Sequence, residues 1–108
     1  MIYELRIYRI MPGKNRAIHD RFANHTMRLF ERHGIQVVGF WETIIGEHNF
    51  ELVYIVAFND LAHRQAAWDA FVSDPEWQQA KAESEKDGPL VSEVHNKILR
   101  PTPYSPVQ

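Results

Sequence analysis

Two apolar runs joined by a short polar connector decide the fold of this chain: IQVVGFWETIIGEHNFELVYIVAF, residues 35–58. The runs at 35–45 and 50–58 are rich in β-branched and aromatic residues, which favour strands. The connector at 46–49 contains a glycine and is short, which is typical of a hairpin. The stretch therefore predicts two neighbouring antiparallel strands.

Both faces of this hairpin are apolar. Successive side chains of a strand point to opposite faces, so Val38 and Phe40 are predicted on one face and Val37 and Trp41 on the other. The second run alternates in the same two-sided manner. We therefore expect both faces of the sheet to be buried.

The other elements complete a β-α-β-β-α-β order. Periodicity and turn signals predict a strand at 2–10, an amphipathic helix at 14–33, helical segments between Asp60 and Asp87, and a last strand at 91–99. With a right-handed split crossover, this order gives an antiparallel sheet of spatial order 4-1-3-2 with both helices on one face. Residues 1–108 are expected to form one domain of the α+β class with a ferredoxin-like fold, and its proline-rich tail covers 101–108.

The face of the predicted sheet that carries no helices is expected to be covered by a partner. Two helices cover only one side of the predicted sheet, and the other side would expose more apolar surface than a monomer usually tolerates. The simplest self-complementary cover is a second copy, sheet against sheet, with the tail free to reach across. We expect a homodimer, with further association into a higher homo-oligomer left open.

Composition excludes several partner classes. The formal net charge is −2, which provides no electrostatic reason to bind nucleic acid. No apolar run approaches the ~20 residues needed to cross a bilayer, and the strand at Ile2 leaves no room for a signal peptide. A cytoplasmic protein with no membrane partner is expected.

The sequence predicts no cofactor. There is no cysteine, and the six histidines lack the spacing that sets two metal ligands on one element. Glycine-rich phosphate loops and the nicotinamide fingerprint are also missing. Metal and flavin are therefore not expected, and haem coordination through His25 is the one option that stays open.

Four residues are candidates for catalysis. Glu4, Arg6 and Tyr8 share one face of the first strand, as an acid/base group beside an anion clamp or as an ion pair that fixes the dimer register. His25 occupies the apolar stripe of the first helix, where an imidazole either moves a proton or is an ordinary core residue.

Four further residues are candidates for ligand binding. The aromatic rings of Trp41, Tyr54 and Trp68 either line an apolar pocket or belong to the core. Asn49, in the hairpin connector, either contacts a ligand or serves the turn.

A series of matched positions along nearly the whole chain resembles small bacterial NIPSNAP-domain proteins. The matched segments are Tyr3-Glu4-Leu5-Arg6, Tyr8, Pro12-Gly13-Lys14, Gly34, Val38-Gly39-Phe40-Trp41, Gly46, Asn49, Asp60-Leu61-Ala62-His63-Arg64, Asp74-Pro75-Glu76-Trp77 and 98–106. The resemblance implies the dimeric αβ-barrel superfamily, which also holds antibiotic-biosynthesis monooxygenases, haem-degrading enzymes and muconolactone isomerases. It implies no settled reaction.

Two functions follow as hypotheses. In the first, a small hydrophobic carbonyl or phenolic compound binds, His25 or Glu4 abstracts a proton, and Arg6 or Tyr8 stabilises the enolate. The superfamily resemblance suggests that such a carbanion isomerises or meets oxygen directly. In the second, the protein is a non-enzymatic binding or scaffold protein, and its polar residues are consumed by protein partners.

Overall fold

The computed structural model describes residues 1–108 as one sheet with helices on one side. The strands are β1 (Ile2–Ile10), β2 (Gln36–Glu42), β3 (Glu51–Phe58) and β4 (Val91–Leu99). The helices are α1 (Asn15–Arg21), α2 (Met27–Arg32), α3 (Leu61–Ser73) and α4 (Pro75–Ser84), with a π-helical turn at Phe22–Thr26 between α1 and α2. The sheet order is β2-β3-β1-β4 with antiparallel pairing, which confirms the predicted α+β ferredoxin-like fold.

Strand β1 is central and decides which side chains share a face. Arg6 pairs with Tyr54 of β3 and with Asn96 of β4, so these three side chains lie on the same side of the sheet. The helices cover that side. Every second residue of β1, including Glu4 and Tyr8, therefore points into the layer between sheet and helices.

The helix boundaries follow local capping chemistry. The Asp60 carboxylate accepts a hydrogen bond from the His63 backbone N–H at 2.7 Å and begins α3. The Asp74 carboxylate does the same for Glu76 at 2.9 Å and begins α4, whose first residue is a proline. Gly34 follows α2 with a φ of 72°, the left-handed conformation that glycine adopts readily at a helix end. These local contacts set where α3 and α4 begin and where α2 ends.

The hydrophobic core lies between the sheet and the helices. Its largest buried members are Ile18, Leu29, Phe30, Ile35, Tyr54, Val56, Phe58 and Leu90. Aromatic edge-to-face contacts run through it, with ring centroids of Phe30 and Trp68 5.5 Å apart. The aromatic residues thus join α2 and α3 to β3 over one face of the sheet.

The hairpin differs from the prediction in two ways. Strand β2 ends at Glu42, so Ile44 and Ile45 belong to the connector and are 88% and 93% exposed. A bulge between Val37 and Gly39 adds one residue to β2, so Val37 and Phe40 both pack against the core. The prediction that Val38 and Phe40 share one face while Val37 lies on the other was wrong. The extra residue of the bulge shifts the alternation of side chains between the two faces.

The first helical region is not continuous. The predicted helix at 14–33 is interrupted by the π-helical turn, where the wider turn shifts the faces of the residues that follow. Thr26 is buried in the apolar stripe, with its hydroxyl donating to the Arg21 carbonyl at 3.4 Å. His25 is half-buried beside it. The prediction that His25 occupies the apolar stripe is corrected, since Thr26 takes that position.

The tail closes back on the first strand. The Tyr3 hydroxyl donates to the Gln108 carbonyl at 2.7 Å, and the Gln108 side chain donates to the carbonyls of Thr102 and Ser105. The tail adds no strand to the sheet. None of the helices combines the length and the apolar character that crossing a membrane requires.

Candidate functional site

Glu4 lies at the centre of a charged network beneath α3. Its Oε1 accepts from Arg64 Nε at 2.8 Å and from Trp68 Nε1 at 2.9 Å. Its Oε2 accepts from Arg6 Nη1 at 3.0 Å, Arg64 Nη2 at 3.1 Å and Asn96 Nδ2 at 3.0 Å. A carboxylate offers about four lone-pair positions, so these donors occupy both oxygens. No position is left to accept a proton from a substrate.

The same donors determine the charge of Glu4. Burial raises the pKa of this carboxyl, but hydrogen bonds from Arg64, Asn96 and Trp68, with the charge of Arg6, lower the pKa to about 2. Glu4 is ionised and saturated near neutral pH. The predicted role of Glu4 as the proton acceptor is therefore not supported, whereas an ion pair that fixes the strands and α3 matches the geometry.

Arg6 links the carboxylate to two phenols. Its Nε donates to the Tyr54 hydroxyl at 2.8 Å and its Nη2 to the Tyr8 hydroxyl at 3.3 Å. The two hydroxyls are 2.9 Å apart, and the guanidinium carbon lies 4.7 Å from the Trp68 ring centroid. The structure thus brings together Glu4, Arg6, Tyr8, Tyr54 and Trp68, all of which the sequence singled out.

The electrostatics of this cluster keep its groups in fixed states. Burial and the nearby Tyr8 raise the pKa of Tyr54 well above its ordinary value, so it stays a neutral phenol. Burial disfavours the Arg6 cation, but Tyr54, Tyr8 and Glu4 more than offset this, and the Arg6 pKa is raised. Arg6 is only 18% exposed. The cluster is a closed network.

Two members of the network were not identified from the sequence. Arg64 lies one turn before Trp68 on α3, so both side chains reach the same carboxylate. Asn96 lies opposite Arg6 on β4. The signal for Arg64 was its place in the segment 60–64, which matches the family pattern, whereas Asn96 carries no signal that separates it from other polar strand residues.

An apolar groove runs along the outer edge of the helical layer, between the first helical region and the β2 edge of the sheet. Its volume is about 420 Å³. Its lining residues are His19, Phe22, Ala23, Met27, Phe40, Trp41, Glu42 and Leu52. His19 Nε2 lies 2.7 Å from Glu42 Oε1 at the polar end of the groove. Trp41, a predicted ligand residue, contributes to this wall and is half exposed.

Two predicted site residues lie elsewhere. His25 lines a separate groove between α1 and α4 with Asn24 and Ser84. Asn49 is exposed in the β2–β3 connector. The proton-abstraction mechanism predicted from the sequence required His25 or Glu4 close to Arg6 and Tyr8 around one ligand, and His25 is not part of that cluster. No three His, Asp or Glu side chains converge as a metal-ligand set.

The arrangement of strands and helices defines the structural class of this protein. A four-stranded antiparallel sheet covered on one face by helices is the subunit type of the dimeric αβ-barrel proteins. A putative antibiotic biosynthesis monooxygenase from Nitrosomonas europaea shares the fold, with a TM-score of 0.65 at 10% identity over 94% of this chain and 98% of that chain. At that identity the likeness concerns the fold alone.

A match along nearly the whole chain shows the family. The NIPSNAP family model matches residues 3–106, and the chain belongs to that family. A NIPSNAP family protein with unknown function from Agrobacterium tumefaciens is 30% identical, with a TM-score of 0.86, and the match covers 100% of this chain and 94% of that chain.

Curated relatives are longer than this chain. It is 30% identical to protein NipSnap homolog 3B of Mus musculus over 77 residues, which is 71% of this chain and 30% of that protein. The chain spans about a third of the length of the curated relatives it matches. The match therefore concerns one region of those proteins.

Proposed function

We propose that this protein is a homodimer that binds a small hydrophobic phenolic or carbonyl compound in the apolar groove beside β2. The observation that carries the proposal is the groove itself, about 420 Å³ in volume and walled by Phe22, Phe40, Trp41 and Met27. Such a space suits a ligand of one or two rings, since small-molecule sites are apolar with a few placed polar groups.

The polar end of the groove supplies an acid–base pair. An imidazole moves protons near neutral pH, and a carboxylate beside one ring nitrogen orients the ring and stabilises its cation. Glu42 Oε1 lies 2.7 Å from Nε2 of His19 without hydrogen-bond geometry, and we propose Nδ1 as the proton acceptor. His19 takes a proton from the carbon beside a bound carbonyl, the C–H electron pair forms a C=C bond, and the carbonyl π pair moves to the oxygen, which gives an enolate. His19 and Glu42 replace the predicted roles of His25 and Glu4.

The homodimer is proposed from the uncovered sheet face. Leu5 and Ile7 of β1, Val53 and Ile55 of β3, and Trp41 of β2 share the face opposite the helices. A second copy covers such a face by symmetry, because the same apolar patch is complementary to itself. Light scattering tests this directly, and a folded monomer of 12.7 kDa at micromolar concentration would contradict it.

Binding is tested with 1-naphthol and 2-tetralone as probes, followed by amide NMR shifts. We expect saturable shifts at Met27 and Trp41, and loss of binding in Met27→Arg, where a charge enters the groove. Val72→Arg is the matched control, because Val72 is an exposed apolar helix residue outside the groove. Equal binding by both variants would exclude this groove.

Proton transfer is measured separately from binding, by hydrogen exchange of the ligand. 2-Tetralone exchanges the hydrogens beside its carbonyl in D₂O, and the protein should accelerate that exchange by about 10²-fold or more. His19→Gln should bind the ketone unchanged and lose the acceleration. An unaltered exchange rate in His19→Gln would remove His19 from the reaction while leaving the binding site intact.

A scaffold function is the second candidate. The observation that favours it is the closed network around Glu4, whose donors all come from the chain itself. A stable dimer that binds none of the ring compounds in a broad screen would support the scaffold function over the binding function.

A further inference from the structure

Arg21 is a buried cation with little compensation. Its side chain is only 6% exposed, and its Nη1 donates to the Ser84 hydroxyl at 3.2 Å. The nearest carboxylate oxygen, on Glu85, is 4.0 Å away, and Nε has no hydrogen-bond partner. Buried guanidinium groups are normally paired and fully hydrogen-bonded, because removing a charge from water is costly. The charge of Arg21 is therefore only partly compensated.

Arg21 is one of the lining residues of a groove distinct from the apolar one. Arg21 forms part of the wall between α1 and α4, in a space of about 330 Å³. Asn24, His25 and Lys86 line the same space and supply further hydrogen-bond donors. The π-helical turn begins directly after Arg21, and π turns of this kind occur frequently at functional sites.

The other side of the guanidinium is closed. Its carbon lies 5.1 Å from the centroid of the Trp77 ring, which covers that face as a cation–π contact. Burial lowers the pKa of Arg21, and the charge of Glu85 only partly offsets this effect. An anion arriving from the groove would supply the missing compensation.

The charges at the rim select the kind of anion. Asp20 and Glu83 line the groove as well, with Asp20 3.9 Å from Arg16 and Glu83 3.0 Å from Lys86. Two carboxylates at the rim repel a polyvalent anion more strongly than a monovalent one. A dianionic phosphate is therefore disfavoured relative to a single carboxylate.

We infer that the groove between α1 and α4 is a binding site for a small organic carboxylate. The ligand carboxylate accepts hydrogen bonds from the Arg21 guanidinium, and Asn24 and His25 contact it from the side. This assigns His25, which the sequence singled out, to ligand binding in a groove separate from the Glu4 network.

The test is an NMR titration of the full chain with sodium benzoate, benzamide and inorganic phosphate. Benzoate should produce saturable shifts at the Arg21 guanidinium N–H groups and at the amides of Asn24 and His25. Benzamide, which has the same ring without the charge, should produce none, and phosphate should bind more weakly than benzoate. Phosphate binding as tight as benzoate would overturn the selectivity, and the absence of benzoate shifts at these groups would overturn the site.

Variants of the groove distinguish binding at Arg21 from binding elsewhere on the chain. Arg21→Gln should weaken benzoate binding about tenfold or more, whereas Arg100→Gln, at an exposed arginine outside the groove, should leave it unchanged. Asn24→Asp adds a negative charge at the exposed rim without altering the core, and it should weaken binding severalfold. Unchanged benzoate affinity in Asn24→Asp and Arg21→Gln would refute the assignment. Binding should persist in Met27→Arg, which blocks only the apolar groove.

Discussion

Arg6 of β1 and Arg21 of α1 are largely buried arginines on the helix-covered side of the sheet, and their surroundings differ sharply. Arg6 donates to Glu4, Tyr8 and Tyr54, and its pKa is raised although burial opposes this. Arg21 donates to one hydroxyl, and its pKa is lowered by burial. A saturated ion network holds the strands and helices together, whereas an incompletely paired charge beside a groove is free to receive a ligand.

Among the variants proposed, Glu4→Gln should lower the free energy of unfolding the most. It removes the negative charge while Arg6 and Arg64 stay in place, and breaking a buried ion pair on one side typically costs about 3–5 kcal/mol. Urea unfolding followed by tryptophan fluorescence measures the free energy of unfolding. Glu93→Gln is the matched control, because Glu93 contacts Arg9 and His95 at the surface and its loss should change stability far less. Equal losses in the two variants would contradict the central role of Glu4.

Lowering the pH should reproduce part of the stability loss expected for Glu4→Gln. The folded-state pKa of Glu4 and that of Asp74 are both lowered to about 2, so the stability they contribute is fully present above the ordinary carboxyl pKa. That stability is lost as the pH falls from about 5 toward 2. Urea unfolding across this range should show a steep decline in the wild type and a shallower one in Glu4→Gln. Parallel curves for the two proteins would show that Glu4 is not ionised in the fold.

Trp68→Phe should have an intermediate effect. The change keeps an aromatic ring, although a smaller one, beside Phe30 and removes the N–H that donates to Glu4 at 2.9 Å. A hydrogen bond to a charged group contributes about 1.5–3 kcal/mol, so the free energy of unfolding should fall by roughly that amount. Trp77→Phe, which removes an indole N–H outside the Glu4 network, provides the comparison. A loss in Trp77→Phe as large as in Trp68→Phe would assign the effect to ring size.

Arg21→Met should have the smallest effect on stability. Replacing an under-compensated buried cation by an apolar side chain of similar length is often neutral or stabilising, so we expect a change within about 1 kcal/mol. Arg6→Met should cost clearly more, because it removes donors from Glu4 and both tyrosines. Thermal unfolding of the two variants side by side gives the comparison. A loss in Arg21→Met that matches Arg6→Met would mean that Arg21 is fully compensated within the chain.

Much of the fold was predictable because its signals are local. The caps at Asp60 and Asp74 act on backbone groups within three residues, and the glycine at 34 acts at its own φ. The bulge in β2 and the π-helical turn were not predicted, and both insert a residue into a regular period; Gly39, a glycine inside the strand, is the one local signal for the bulge. For that reason the predicted sheet face of Val37 and the predicted position of His25 in the apolar stripe were wrong.

Much of the candidate site was predictable as a set of residue types on one strand face. The alternation of β1 places Glu4, Arg6 and Tyr8 together, and Tyr54 and Trp68 join them in the structure. The role of Glu4 was not predictable, because whether a carboxylate is a free base or a saturated anion depends on how many donors surround it. Those donors become known only when the strands and α3 are docked.

By itself the sequence determined the order of the elements, their caps and the family, because periodicity, turn residues and matched segments are properties of neighbouring positions. Only the tertiary structure decided which charges are paired. Arg64 and Asn96 lie 60 and 92 residues from Glu4 along the chain, yet both donate to its carboxylate. In the same fold Arg21 donates to one hydroxyl and lies 4.0 Å from a carboxylate oxygen of Glu85. Hydrogen bonds are formed by atoms within about 3 Å of each other, and the distance between residues distant in sequence is set by how the layers pack.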